Sequence, residues 1–150
     1  NSSEAATAEA EIAEMRYLAI DHGTKRTGLA ICDAEERLAS PLCVLQSRKD
    51  LALRIAQIAR AEDVGAVVVG LPVNMDDSEG PQARMVKAFI GELGAHVHTP
   101  IYTQDERLSS FAAEEKLQAS GLSRGKKRRA LDAIAAAEIL QAFLDAKRRQ

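Results

Sequence analysis

The chain has no tryptophan, two tyrosines and three phenylalanines in 150 residues, so aromatics make up 3% of it. A surface that holds single strands by stacking bases on rings is therefore poorly supplied. Any nucleic acid would be gripped mainly through its phosphates. Cysteine is scarce too: Cys32 and Cys43 form no CxxC pair, fall in apolar runs that read as strands, and are expected to be reduced core residues. No apolar run approaches the roughly 18 residues that a membrane span needs, and no basic segment leading into an apolar one opens the chain. These absences point to an unexported, cytoplasmic protein with no membrane partner.

What remains is material for one domain. A chain of this length buries roughly 70% of its unfolded surface. With 46% apolar residues it can build a core without disulfides or a structural metal. Residues 1–14 hold four acids (Glu4, Glu9, Glu11, Glu14) and no base. They precede Met15 and are expected to be a disordered tail or a cloning remnant, leaving a single domain over 15–150. The net charge of −2 hides a local imbalance, because residues 121–150 carry eight bases against three acids.

Tyr17–Ile20 and Thr27–Cys32 are short apolar runs around the turn-rich Asp21-His22-Gly23-Thr24-Lys25-Arg26, a hairpin signal. Leu42–Leu45 follows with no helix-length pattern between, which predicts an antiparallel meander. Leu51, Ile55, Ile58 and Ala59 then recur at helical spacing behind Asp50 as N-cap, ending near Val64-Gly65. Ala66–Val69 is a β-branched run suited to a strand covered on both faces. Pro81 opens a helix that Gly94 closes. A fifth strand is expected at Ile101–Gln104, and helices from about Ser109 to Ala119 and from about Arg129 to Lys147. The order is α/β: three antiparallel strands, then parallel βαβ units, giving a mixed five-stranded sheet with helices on both faces.

Three acids stand where such a sheet would place a site. Asp21 ends the first strand, although Asp-x-Gly alone is an ordinary turn. Asp105 and Glu106 end the fifth, where strand ends line the ligand crevice of open sheets. Successive residues point to opposite faces, and which of the two faces inward stays open. Asp132 heads a helical stripe continued by Ala136, Ile139 and Phe143. An acid there serves either the helix dipole or a site. Acids that converge repel one another unless a cation intervenes, and a few carboxylates with retained waters suit Mg²⁺.

At these residues the chain resembles a known family. Asp21-His22-Gly23-Thr24-Lys25-Arg26-Thr27-Gly28, Val69-Gly70-Leu71-Pro72-Val73-Asn74-Met75, Asp105-Glu106-Arg107-Leu108-Ser109-Ser110, and Lys127 to Asp132 with Ala135-Ala136 look like the YqgF family, also called RuvX, of RNase H-like nucleases. The match runs over about residues 15–145 in order. It implies an RNase H-like fold, dependence on Mg²⁺ or Mn²⁺, and trimming of the 5′ end of precursor 16S ribosomal RNA in ribosome biogenesis. Holliday-junction resolution in DNA recombination and repair is the alternative. By the resemblance Asp21, Glu106 and Asp132 are the catalytic, metal-binding carboxylates. His22 falls at a variable position of the family, Asp76-Asp77-Ser78 stands where Asp-Gly-Ser is expected, and Ala112 stands where a Glu often completes a capping box with Ser109.

Candidate contacts to nucleic acid are Lys25 and Arg26 on the hairpin turn, Asn74 after the buried strand, Arg107, and the run Lys126, Lys127, Arg128 and Arg129. Each has an ordinary alternative as a solvated charge or a turn amide. The basic run gains weight because no acid interrupts it between Glu115 and Asp132. Lys147-Arg148-Arg149 are expected to complement a helix C-terminus, and His96 and His98, sharing a strand face, to be surface residues. The partner is then RNA, foremost precursor rRNA free or on the pre-ribosome, with branched DNA as the alternative. A homodimer is compatible with the sequence. Two other classes remain: a non-catalytic RNA-binding assembly factor, and an actin-like ATPase suggested by Asp21-His22-Gly23-Thr24, which would need a second domain.

Overall fold

The computed structural model describes residues 15–74, 76, 78–106 and 123–149. The expected tail at 1–14 and the expected helix Ser109–Ala119 lie outside these residues. The chain runs β1 (Tyr17–His22), β2 (Thr27–Cys32), β3 (Ala39–Leu45), α1 (Leu51–Ala61), β4 (Ala66–Leu71), α2 (Pro81–Gly94), β5 (Ile101–Asp105) and α3 (Arg124–Arg148). The strands form one sheet in the order β3-β2-β1-β4-β5. The first three pair antiparallel, whereas β4 lies parallel to both β1 and β5.

Strand alternation sorts the core into two layers. Leu18, Ile20, Leu29, Val67 and Val69 pack against Ile55, Val86, Phe89 and Leu93 of α1 and α2. The other face is built from smaller side chains, Ala19, Ala30, Ala66 and Val68, and meets Ala136, Ile139, Leu140 and Leu144 of α3. Each of those three large α3 side chains contributes on the order of 2 kcal/mol by leaving water. Alanine facing alanine lets α3 lie close to the sheet, and that proximity places the site. Among the described residues no helix is long and apolar enough to cross a membrane.

Several boundaries differ from the sequence expectation. β3 begins at Ala39 and includes Pro41, tolerated because β3 is an edge strand whose pairing with β2 is irregular at Leu29/Ala30. Asp50 precedes α1 but is left-handed (φ 53°) and its side chain caps nothing, and the helix stops at Ala61 instead of near Val64-Gly65. A second left-handed residue, Asp63 (φ 55°), turns the chain into β4. His96 and His98 are exposed in the link to β5, not on a strand. Most consequentially, α3 begins at Arg124, five residues earlier than periodicity suggests. The Ser123 hydroxyl caps it by accepting the Lys126 N–H, so the basic run forms the first turns of the helix. Lys147 does more than face the helix end: its Nζ donates to the Tyr17 hydroxyl (3.0 Å) and to Glu36 Oε1 (2.6 Å), tying α3 to β1 and to the β2–β3 link. Cys32 is buried and free, and Cys43 is half-buried and free.

Candidate active site

Alternation along β1 sends His22 to the α1/α2 face, where its ring stacks on Phe89 at 4.4 Å. Asp21 goes to the α3 face. There it is paired in register with Gly28 of β2, and Gly28 carries the closest approach among the described glycines. A Cβ built on it would overlap the backbone carbonyl of Asp132. Glycine is what allows the third turn of α3 to sit on the sheet beside Asp21.

Glu106 reaches the same place from the opposite side. Its N–H extends the β4–β5 ladder to the Leu71 carbonyl (3.4 Å). Its Oε2 lies 2.6 Å from where a Cβ on Gly70 would stand, so a second glycine makes room for this carboxyl. Parity explains why Glu106, not Asp105, takes the position. Tyr102 meets Phe143 of α3, so residues 104 and 106 follow on that face, and Asp105 is exposed.

The Glu106 and Asp21 carboxyls share a hydrogen bond. Burial, then the charge of Asp132, pushes Asp21 up to about 6. Burial, the charge of Asp21 and the hydrogen bond to it push Glu106 up to about 7. Both carboxyls are thus held above their ordinary range, and the pair shares a proton more readily than either group would alone. Asp132 is neutralised differently, by Arg26, whose Nε lies 2.5 Å from Oδ2 with both side chains about a quarter exposed. Arg26 comes from the β1–β2 turn, closed by the Gly23 N–H donating to the Arg26 carbonyl (3.0 Å). Arg48 braces that turn through a 2.6 Å hydrogen bond to the Gly23 carbonyl. Lys25 is exposed on the same turn.

Among the described residues, no three metal-ligating side chains stand ready around one point. The reason is visible in the contacts, since two acids share a proton and the third holds a guanidinium. The donor set nonetheless fits a divalent cation: three carboxylates, all hard oxygen donors, two of which, Asp21 and Glu106, are held in a site where burial makes their charge costly. Asp21, Glu106 and Asp132 are the residues that would hold it.

A pH dependence follows. The folded pKa values of Asp21 and Glu106 lie above their ordinary values of 3.8 and 4.5, so between about pH 4 and 7 the native state binds more protons than the unfolded chain. Stability from these groups is then present at low pH and lost as pH rises through the folded values. In EDTA, wild-type protein is expected to lose ~2 kcal/mol more than Asp21→Asn between pH 5 and 8, which is roughly 4–8 °C in melting temperature. Parallel curves for the two proteins would refute the buried-pair account.

The other candidates divide. Asn74 is exposed, and its loop closes on itself: the Asn74 N–H donates to the Ser78 carbonyl (3.0 Å), its amide to Ser78 Oγ (3.0 Å), and the Ser78 N–H to Asp76 (3.0 Å). Lys126 is exposed and Lys127 half-buried in the first turn of α3. Arg107 and the side chains of Arg128 and Arg129 lie outside the described residues. Reading the sequence missed Arg48, which carries no motif, and the two close-approach glycines, for which Asp21-x6-Gly28 and Val69-Gly70 were the available signals.

A family model described as RuvX, Holliday junction resolvase, matches residues 15–146. Relatives named "Putative pre-16S rRNA nuclease" include one from an Anaeromyxobacter species, 48% identical over 136 residues that cover 89% of this chain and 98% of the relative. Another, from Chloroflexus aggregans, is 41% identical over 138 residues, covering 90% and 96%. Among solved structures, Thermus thermophilus RuvC in complex with Holliday junction substrate superposes with a TM-score of 0.57 at 17% identity, over 91% of this chain and 97% of that one. The fowlpox virus resolvase with its junction DNA gives 0.54 at 13% identity, over 88% and 98%. These two likenesses establish a shared fold.

Proposed function

The chain belongs to the RuvX family of RNase H-like nucleases, and from that premise we propose that it is a divalent-cation-dependent endonuclease that trims the 5′ end of precursor 16S ribosomal RNA in the cytoplasm. Asp21, Glu106 and Asp132 would hold Mg²⁺ or Mn²⁺. The observation that carries this reading is the hydrogen-bonded Asp21–Glu106 pair, raised by burial and by the nearby charge of Asp132, with Asp132 itself held by the Arg26 guanidinium. When bound, the cation acidifies a water and takes up charge developing on the scissile phosphate. The chain's own residues position the backbone. The first turn of α3 has no acid, so its basic side chains add to the positive end of the helix dipole instead of opposing it. That arrangement is costly alone and favourable against phosphate. Lys127 lies five residues before Asp132 on the same helix, about 7.5 Å along the axis. The basic start of α3 and Asp132 thus share one helix, Lys127 about 1.4 turns before it.

The names of the relatives favour RNA as substrate, and the description of the family model favours a four-way DNA junction as a second reading. Incubating purified protein with precursor 16S rRNA and with a Holliday junction, each in Mg²⁺, Mn²⁺ or EDTA, separates them. Cation-dependent cleavage of the RNA is expected. Cleavage of the junction alone would transfer the function to DNA recombination, and binding without cleavage of either would leave a non-catalytic assembly factor.

A further inference from the structure

We propose that Arg26 is a positioning residue that acts as the resting counter-ion of Asp132, withholding that carboxylate from a divalent cation until the guanidinium is drawn away. The proposal rests on the reading of Asp132 as a metal ligand given above. Its geometric basis is the 2.5 Å contact from Arg26 Nε to Asp132 Oδ2, made across 106 residues of sequence. The carboxylate is fixed by its helix, since the Asp132 backbone abuts Gly28. Arg26, by contrast, reaches Asp132 at the end of a long side chain from the β1–β2 turn, whose backbone is held by the Gly23–Arg26 hydrogen bond and by Arg48, so its guanidinium can swing while the turn stays in place. The movable partner is therefore the arginine. Its contact with Asp132 is through Nε, so the two terminal nitrogens of the fork remain to take a phosphodiester, whose oxygens guanidinium binds in a bidentate fashion. A phosphate that takes Arg26 would free Asp132 in the same movement, so backbone binding and cation binding would reinforce each other.

Mn²⁺ binding to the full chain without nucleic acid, followed by isothermal titration calorimetry, tests this without using turnover. Arg26→Gln is expected to tighten Mn²⁺ at least about tenfold, because a charge-assisted hydrogen bond no longer competes for Asp132. Arg26→Lys keeps a charge at the carboxylate and should stay within about threefold of wild type. Lys25→Gln removes an equal charge from the same turn without touching Asp132. If it tightens Mn²⁺ as much as Arg26→Gln does, the effect is a general field and the proposal is wrong. Asp132→Asn separates the two layers of inference. Should it weaken Mn²⁺ while Arg26→Gln changes nothing, only the counter-ion role is overturned; should it leave Mn²⁺ unchanged, the metal-ligand reading of Asp132 falls and the proposal with it. Circular dichroism melts of each variant confirm that the comparison is made on folded protein.

Discussion

Asp21→Asn is expected to reduce cleavage at least about a thousandfold, some 4 kcal/mol of transition-state stabilisation, while making the metal-free protein more stable above pH 7. The two effects have opposite signs for one reason. In the folded chain without a cation, Asp21 is a buried carboxylate facing Asp132 and held up at about 6. Replacing it with an amide of the same shape removes a charge that folding must desolvate, and the amide can donate to Glu106 once that group ionises. The gain should be ~2 kcal/mol at pH 8 in EDTA. The same charge is what a cation would bind, so its loss removes a ligand and leaves the backbone grip on Lys25 and the first turn of α3 unchanged. Rates on precursor RNA in Mg²⁺, read beside melts in EDTA, give both numbers. Undiminished turnover would remove Asp21 from the chemistry, whereas lost turnover together with a lower melting temperature would mark it as a structural residue.

The mixed five-stranded sheet and the succession of its elements along the chain were legible because the strands are bounded by turn chemistry and α1 and α2 show apolar period. The β-branched run of β4 and the Pro81–Gly94 bounds of α2 are examples. The start of α3 was not legible, because Arg124 to Arg129 has no apolar period at all. There the helix is decided by one hydroxyl, Ser123, accepting the Lys126 N–H. Periodicity marked Asp132 as the head of a buried stripe, and the structure has Ala136 and Ile139 buried behind it. What periodicity could not choose was Asp105 or Glu106, since a strand face is a matter of parity and the strand end carries no second apolar residue to fix it. The Arg26–Asp132 pair lies beyond any local pattern, because two residues this far apart meet only through the packing of α3 on β2. The site was thus visible as three acids at element ends, and invisible as the contacts that set their charge.

Gly28→Ala should be the most damaging glycine-to-alanine change among the described residues. In most cores an added methyl meets side chains that can rotate away, and the cost is about 1–3 kcal/mol. At Gly28 the methyl meets backbone: the carbonyl of Asp132 overlaps it, and the Ala133 nitrogen lies at 3.0 Å. Backbone in mid-helix cannot yield without moving the helix. α3 is tied along its length by Ile139, Leu140 and Leu144 in the core and by Lys147 at its end, so lifting it at Asp132 strains the whole layer. A loss of ~3 kcal/mol is expected, seen as a fall of roughly 6–12 °C in melting temperature. Activity should fall further than stability, by ~100-fold at temperatures where the variant is still folded, because a displacement of about 1 Å at a ligand residue is enough for that. Gly91→Ala provides the opposite case. Its Cβ would meet nothing within 4 Å and it lies inside α2, so it should stabilise by ~0.5–1 kcal/mol through the unfolded chain and leave cleavage unchanged. If Gly28→Ala melts like wild type, α3 does not approach β2 this closely. If it is destabilised yet cleaves at the full rate below its melting point, the position of Asp132 is not what the reaction depends on.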